Sequence, residues 1–264
     1  MFFTVDGRKV YAATGGRPFD PKLPTIVFVH GAAGDHTVWA LQTRWFAYHG
    51  RSVLAIDLPG NGRSEGEMPA SVPALGQWLI RFLDAAGLEK AALVGHSLGS
   101  LVALEAAAQA PDRVWALALL GSALPMKVND ELLALAREGD HKAYELVNDW
   151  AHSRKTHIGG ARMPGLNIIG GGMRLNEQSR PGALYAAFSA VNSYPEATGY
   201  AAAAKVTCPV LMLLGERDMM TPPRAARALA AKFASCETVT LPECGHSMMA
   251  ERPDETLDAL REAV

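Results

Sequence analysis

The chain has 264 residues, 49% of them hydrophobic and 20% charged, a balance that suits a packed globular protein and excludes the polar composition of a disordered one. Lysine and arginine number 25 against 27 acidic residues, giving a formal charge of −2, so no long-range field gathers nucleic acid or anionic lipid. The expected partner is a small neutral or weakly charged molecule, and the length fits one α/β core carrying one insertion.

In chain order, Asp6-Gly7 is a hairpin signal between two short β-prone stretches, so antiparallel strands are expected first. Short apolar runs follow at Thr25 to His30, Ser52 to Ile56, Ala91 to Gly95, Val114 to Leu120 and Val210 to Leu214, each bounded by Gly, Pro or Asp. Such runs suit strands buried on both faces of a parallel sheet. Helical patterns alternate with them at Val38 to Tyr48, Ser71 to Ala86, Leu98 to Ala110, Pro223 to Phe233 and Pro253 to Glu262. Gly87 suits a helix end, Pro111 cannot continue the helix before it, and Pro253 suits a first turn. Strand and helix in alternation predict a doubly wound sheet with right-handed crossovers.

Between about Ser122 and Lys205 no apolar strand run appears, and helical pieces mix with glycine clusters at Gly159-Gly160 and Gly170-Gly171-Gly172. This stretch reads as an insertion, with enough apolar residues to cover a site. Its glycines would let parts of it move. Cys208, Cys236 and Cys244 are an odd set without C-x-x-C spacing, which argues against disulfides and structural zinc and for reduced thiols in a cytoplasm. The amino-terminal segment lacks the basic start and apolar stretch of a signal peptide, and no run approaches the roughly 18 residues of a membrane span.

The strongest chemical signal is Gly95-His96-Ser97-Leu98-Gly99, a G-x-S-x-G sequence directly after a buried strand and before a helix. A serine on so sharp a turn takes a strained backbone, and the flanking glycines let neighbouring chain pass close by. The helix that follows points free N–H groups at the same place, and Leu98 is expected to donate one of them to a developing oxyanion. A hydroxyl needs a base. His246, in the loop after the strand-like Glu237 to Leu241, is the best placed of eight histidines. The base needs a carboxylate, and Asp218 follows the Val210 to Leu214 strand at its carboxyl end, with Glu216 as its rival. The second oxyanion donor is expected from His30-Gly31-Ala32-Ala33-Gly34, with Ala32 preferred and Ala33 second.

Four motifs in order, His30-Gly31, then Asp57-Leu58-Pro59-Gly60-Asn61-Gly62-Arg63-Ser64, the serine turn, and the Asp218 and His246 loops, make the chain resemble the α/β-hydrolase superfamily over nearly its whole length outside the insertion. The resemblance implies a mostly parallel eight-stranded sheet flanked by helices, with a core of 1–121 and 206–264 and a helical cap of 122–205 after the sixth strand. It implies acyl transfer to Ser97 and water attack directed by His246. The relatives that place the acid after the sixth strand differ here, because that position reads Gly121-Ser122-Ala123.

His96 is expected to point away into the core, and His30 to brace the oxyanion loop. His141, His152 and His157 match no metal-ligand spacing, and Gly60-x-Gly62-x-x-x-Gly66 misses the dinucleotide fingerprint by one residue, so neither metal nor cofactor is expected. Trp150, Met163, Phe188 and Met248 are candidate substrate contacts, with simple core packing as the competing reading. The expectation is a cytoplasmic serine carboxylesterase, monomeric or homodimeric, acting on a small to medium apolar ester, thioester or lactone. A carbon-carbon bond hydrolase, a cofactor-free perhydrolase or haloperoxidase, and a ligand-binding receptor on the same fold are the alternatives.

Overall fold

A computed structural model describes residues 1–160 and 165–264. The strands are β1 (Phe2–Val5), β2 (Arg8–Ala13), β3 (Thr25–Val29), β4 (Ser52–Ile56), β5 (Ala91–His96), β6 (Val114–Leu120), β7 (Val210–Gly215) and β8 (Cys236–Leu241). They form one eight-stranded sheet in the order β1-β2-β4-β3-β5-β6-β7-β8. β1, β2 and β4 pair antiparallel, and every pairing from β4 through β8 is parallel. Asp6 and Gly7, both at positive φ, make the hairpin between the first two strands.

Every residue of β3, β4, β5 and β7 is buried, as two-sided cover demands. Alternation along the strands divides the core. Val27, Val29, Leu54, Ile56 and Leu93 pack with α2 (Val72–Ala85) and α3 (Leu98–Gln109), whereas Ile26, Phe28, Val53 and Ala92 pack with α1 (Ala40–Tyr48) and with Leu260 and Val264 near the carboxyl end. α2 starts where the Ser71 hydroxyl accepts the Ala74 N–H and stops before Gly87, at φ 69°. α2 and α3 lie so close that a Cβ on Gly76 would sit 2.6 Å from the Glu105 Cβ.

Between β6 and β7 come α4 (Asp130–Glu138), α5 (Lys142–Ala151), α6 (Arg154–His157), α7 (Ile168–Glu177), α8 (Ala183–Asn192) and α9 (Glu196–Ala203), with no strand among the described residues. α4, α5 and α8 share a small core of Leu132, Ala136, Ala143, Leu184 and Phe188. α9 lies apart from this small core. It packs on α3, and its Ala202 and Ala203 join the main core, because two alanine-rich surfaces permit close approach. The glycines 170–172 lie inside α7 and are helical. The chain ends with α10 (Pro223–Ala230), α11 (Met248–Glu251) and α12 (Pro253–Ala263). No helix among the described residues is long and apolar enough to cross a membrane.

Candidate active site

Ser97 occupies the turn between β5 and α3 at φ 54°, ψ −121°, a region that costs a non-glycine residue roughly 1–3 kcal/mol. Its N–H is held by the Leu120 carbonyl at 2.9 Å. The two motif glycines are needed for space. A Cβ on Gly95 would run into the Gly99 carbonyl, and one on Gly99 would run into the carbonyls of Val29 and His30. The turn therefore nests α3 against the end of β3, with the serine side chain at the carboxyl edge of the sheet.

Asp218 follows β7 in a turn that supplies it with donors. One carboxylate oxygen accepts the N–H groups of Met220 and Thr221, each at 2.8 Å. The other accepts the Thr221 hydroxyl at 2.6 Å and His246 Nδ1–H at 2.8 Å. Burial alone raises the Asp218 pKa, but the charge and hydrogen bond of His246, with those of Thr221, outweigh it and hold the carboxyl below its usual 3.8. With Nδ1 turned to Asp218, Nε2 is the ring nitrogen left to face the cavity side. It is buried and meets no hydrogen-bond partner among the described residues, and His246 shares a cavity wall with Ser97. Gly121 gives the ring room, since a Cβ there would lie 2.8 Å from His246 Cε1. Glu216 is elsewhere: its carboxylate is exposed and accepts the Glu243 N–H at 2.9 Å.

The loop after β3 abuts the serine, with a Cβ on Gly31 falling 3.0 Å from Ser97 Cβ. The N–H groups of Ala32 and Leu98 meet no protein acceptor among the described residues, whereas Ala33 sits at φ 50° with its carbonyl accepting from Asn176 Nδ2 at 3.4 Å. His30 joins this loop to the next one: Nδ1 donates to the Gly31 carbonyl at 2.7 Å and Nε2 accepts the Leu58 N–H at 3.0 Å. That second loop is anchored by buried Asp57, which takes the N–H and ring Nδ1 of His36 at 2.7 and 2.8 Å and the Arg63 N–H at 2.9 Å. His96 departs from expectation. Its ring packs 4.7 Å from that of His246, and its Nε2–H donates to the His246 carbonyl at 2.9 Å, so it supports the histidine loop instead of pointing away. Burial, with His246 beside it, pushes His96 down to about 3 and keeps it neutral.

Ser97 and His246 open into a cavity of about 430 Å³ between the core and the cap. Phe188 lines it. Trp150 and Met248 do not: Trp150 packs into the small cap core, and Met248 is fully buried under the sheet's other face, while Met249, the next residue, reaches the cavity. Met163 lies outside the described residues. The cap wall carries polar groups that periodicity did not reveal. Asn148 donates to the Tyr144 carbonyl at 2.9 Å and to Asn176 Oδ1 at 2.8 Å, and His152 Nδ1 donates to the Asn148 carbonyl at 2.8 Å. Asn148, His152 and Asn176 are all buried and all line the cavity. Gly171 and Gly172 complete this wall.

Residues 26–259 match the family model of the alpha/beta hydrolase family. The chain belongs to that family of hydrolytic enzymes. It is 38% identical over 122 residues to the dihydrolipoyllysine-residue acetyltransferase component of the acetoin cleaving system of Cupriavidus necator, a match to 46% of this chain. That match spans only 31% of the relative's length. Over 256 residues it is 27% identical to a pimeloyl-[acyl-carrier protein] methyl ester esterase of Aromatoleum aromaticum, covering 91% of this chain and 98% of the other. The enol-lactonase of Burkholderia xenovorans superposes with a TM-score of 0.87 at 20% identity over 99% and 98% of the two chains, a likeness of fold.

Proposed function

We propose that this protein is a serine esterase that cleaves a small to medium, largely apolar carboxylic ester, thioester or lactone through an acyl-enzyme on Ser97. The observation that carries the reading is the unpartnered Nε2 of His246, oriented by Asp218 through Nδ1, on the same cavity as a serine held at positive φ. His246 Nε2 takes the Ser97 proton as Oγ attacks the carbonyl, Asp218 stabilises the imidazolium, and the tetrahedral oxyanion takes the N–H groups of Ala32 and Leu98. The protonated ring returns its proton to the leaving alcohol or thiol. Water, deprotonated by the same nitrogen, then releases the acid. No cofactor enters this cycle.

The cavity volume falls within the range of small-molecule sites, roughly 300–1,000 Å³. The cavity wall selects the acyl part: the cap, 122–205, contributes Phe188 and α7, and the core contributes Met249. The Aromatoleum aromaticum relative, a methyl ester esterase, acts on a member of this class. An activated aryl ester should give a burst equal to one product per chain followed by steady turnover. A burst without turnover would favour a receptor on this fold, and no reaction at all with either step would remove the esterase reading.

A further inference from the structure

Glu251, only 2% exposed, is a carboxylate that the reaction above does not use. It closes α11, just after the His246 loop, and is bonded in two directions. One oxygen accepts the N–H of Gly245, the residue before His246, at 3.0 Å. The other accepts two groups of the cap, the Ser153 N–H at 2.9 Å and the Thr156 hydroxyl at 2.7 Å. The same seam holds two more bonds, from the N–H groups of His246 and Ser247 to the Ala151 carbonyl at 2.9 and 3.0 Å. It is tightly closed, since a Cβ on Gly245 would stand 2.7 Å from both Glu251 Oε1 and the Ser153 nitrogen. Neighbouring Arg252 is occupied with the backbone carbonyls of Pro242, Glu251 and Glu243.

A buried carboxylate is retained at a cost unless donors replace its water. Here the donors come from two separate parts of the chain, so satisfying the charge forces those parts together. We propose that Glu251 is a positioning residue for His246, a latch that fixes the histidine loop to the cap segment from Ala151 to Thr156. That segment carries His152 on the cavity wall, so one carboxylate sets both the base and the wall that reads the substrate. It follows that acyl chains pressing on this wall change kcat as well as KM. The proposal rests on the reading of His246 as the base.

The test is E251Q in the full chain, with kcat expressed per active site titrated by a fluorophosphonate, so that a loss of folded protein does not register as a loss of rate. Gln has one acceptor oxygen where Glu has two, so it accepts on the Gly245 side or on the cap side but not on both, and either orientation severs one half of the latch. The expected result is a fall in kcat on the order of 10- to 100-fold, the range spanned by one charge-assisted bond if all of it bears on the transition state. A shift of at least about threefold in the kcat/KM ratio between long and short acyl esters should accompany it. T156V removes the Glu251 bond and also the 3.1 Å contact of Thr156 Oγ1 with the buried Ser153 hydroxyl. It should lower kcat several-fold in the same direction, and T156S should restore it. A folded E251Q whose kcat per site stays within about twofold of the parent overturns the latch. If E251Q does not fold, T156V decides by the same criterion. Loss of activity in S97A together with unchanged E251Q and T156V sinks the latch alone, whereas an active S97A sinks the reading of the site itself.

Discussion

Adjacent glycines in α7 offer a sharp test of the cap wall. Gly171 and Gly172 both line the cavity and both have helical backbone, yet their surroundings differ. A Cβ on Gly171 would meet no heavy atom within 4 Å, so Gly171→Ala gains helix propensity without a clash, about 1 kcal/mol. For a chain of this size that corresponds to a melting temperature raised by about 2–4 °C. The added methyl occupies space otherwise open to substrate, and the discrimination lost for the longest acyl chain is roughly 1 kcal/mol, about fivefold in kcat/KM. At Gly172 the Cβ would fall 2.5 Å from Asn148 Oδ1. Gly172→Ala must displace the amide that ties Tyr144 to Asn176, and a loss of about 1–3 kcal/mol is expected in spite of the better helix former. Thermal scans and kcat/KM for aryl esters of increasing acyl length check both. A Gly171→Ala protein that melts below the parent, or that keeps the parent's acyl-length profile, would refute the placement of this face toward the substrate.

Ser97→Ala should fold normally and lose about 10⁴- to 10⁶-fold in kcat, measured per mole of folded protein; retained turnover would remove Ser97 as nucleophile. Asp218→Asn should be severely impaired while Glu216→Gln keeps most activity, because Asp218 bonds the His246 ring and Glu216 bonds the Glu243 N–H instead; the reverse ranking would move the acid. The His36–Asp57 pair should shape stability at both pH limits. Burial favours a neutral His36 ring, but bonded Asp57 outweighs it and raises the His36 pKa above 6.5, so its contribution is complete below that value and lost as pH rises through the folded pKa. Burial likewise works to raise Asp57, but the His36 and Arg63 bonds lower its carboxyl below 3.8, so that contribution is lost as pH falls through the folded value. Urea midpoints of His36→Gln should therefore lie furthest below the parent between these limits and converge on it toward high pH; a constant gap would count against the pairing.

How much of this was legible in the sequence depended on whether the signal was local. The core strands were readable because two-sided burial leaves no polar residue inside them: Ser52–Ile56 and Val114–Leu120 fall where the apolar runs place them. Ser97 was readable because its turn demands small neighbours at fixed offsets, and Asp218 and His246 because each follows a strand at the same sheet edge. The cap wall was not readable, since helical periodicity ranks residues by apolarity and the wall does not follow that rule. Within α5 the tryptophan, Trp150, turns to the cap core, while Asn148 is buried because it has two partners, one of them in α7. A lone asparagine in an amphipathic helix carries no mark of a partner some 28 residues away. The use of the α7 glycines was hidden for a related reason: their absent side chains make room for Asn148 and for the cavity, neither of which is adjacent in sequence. Glu251 was hidden in the same way, one acid among several near the carboxyl end until the cap segment is folded onto it. In the esterase proposed above, the chemistry is thus encoded in contiguous motifs and the selectivity in contacts between distant segments.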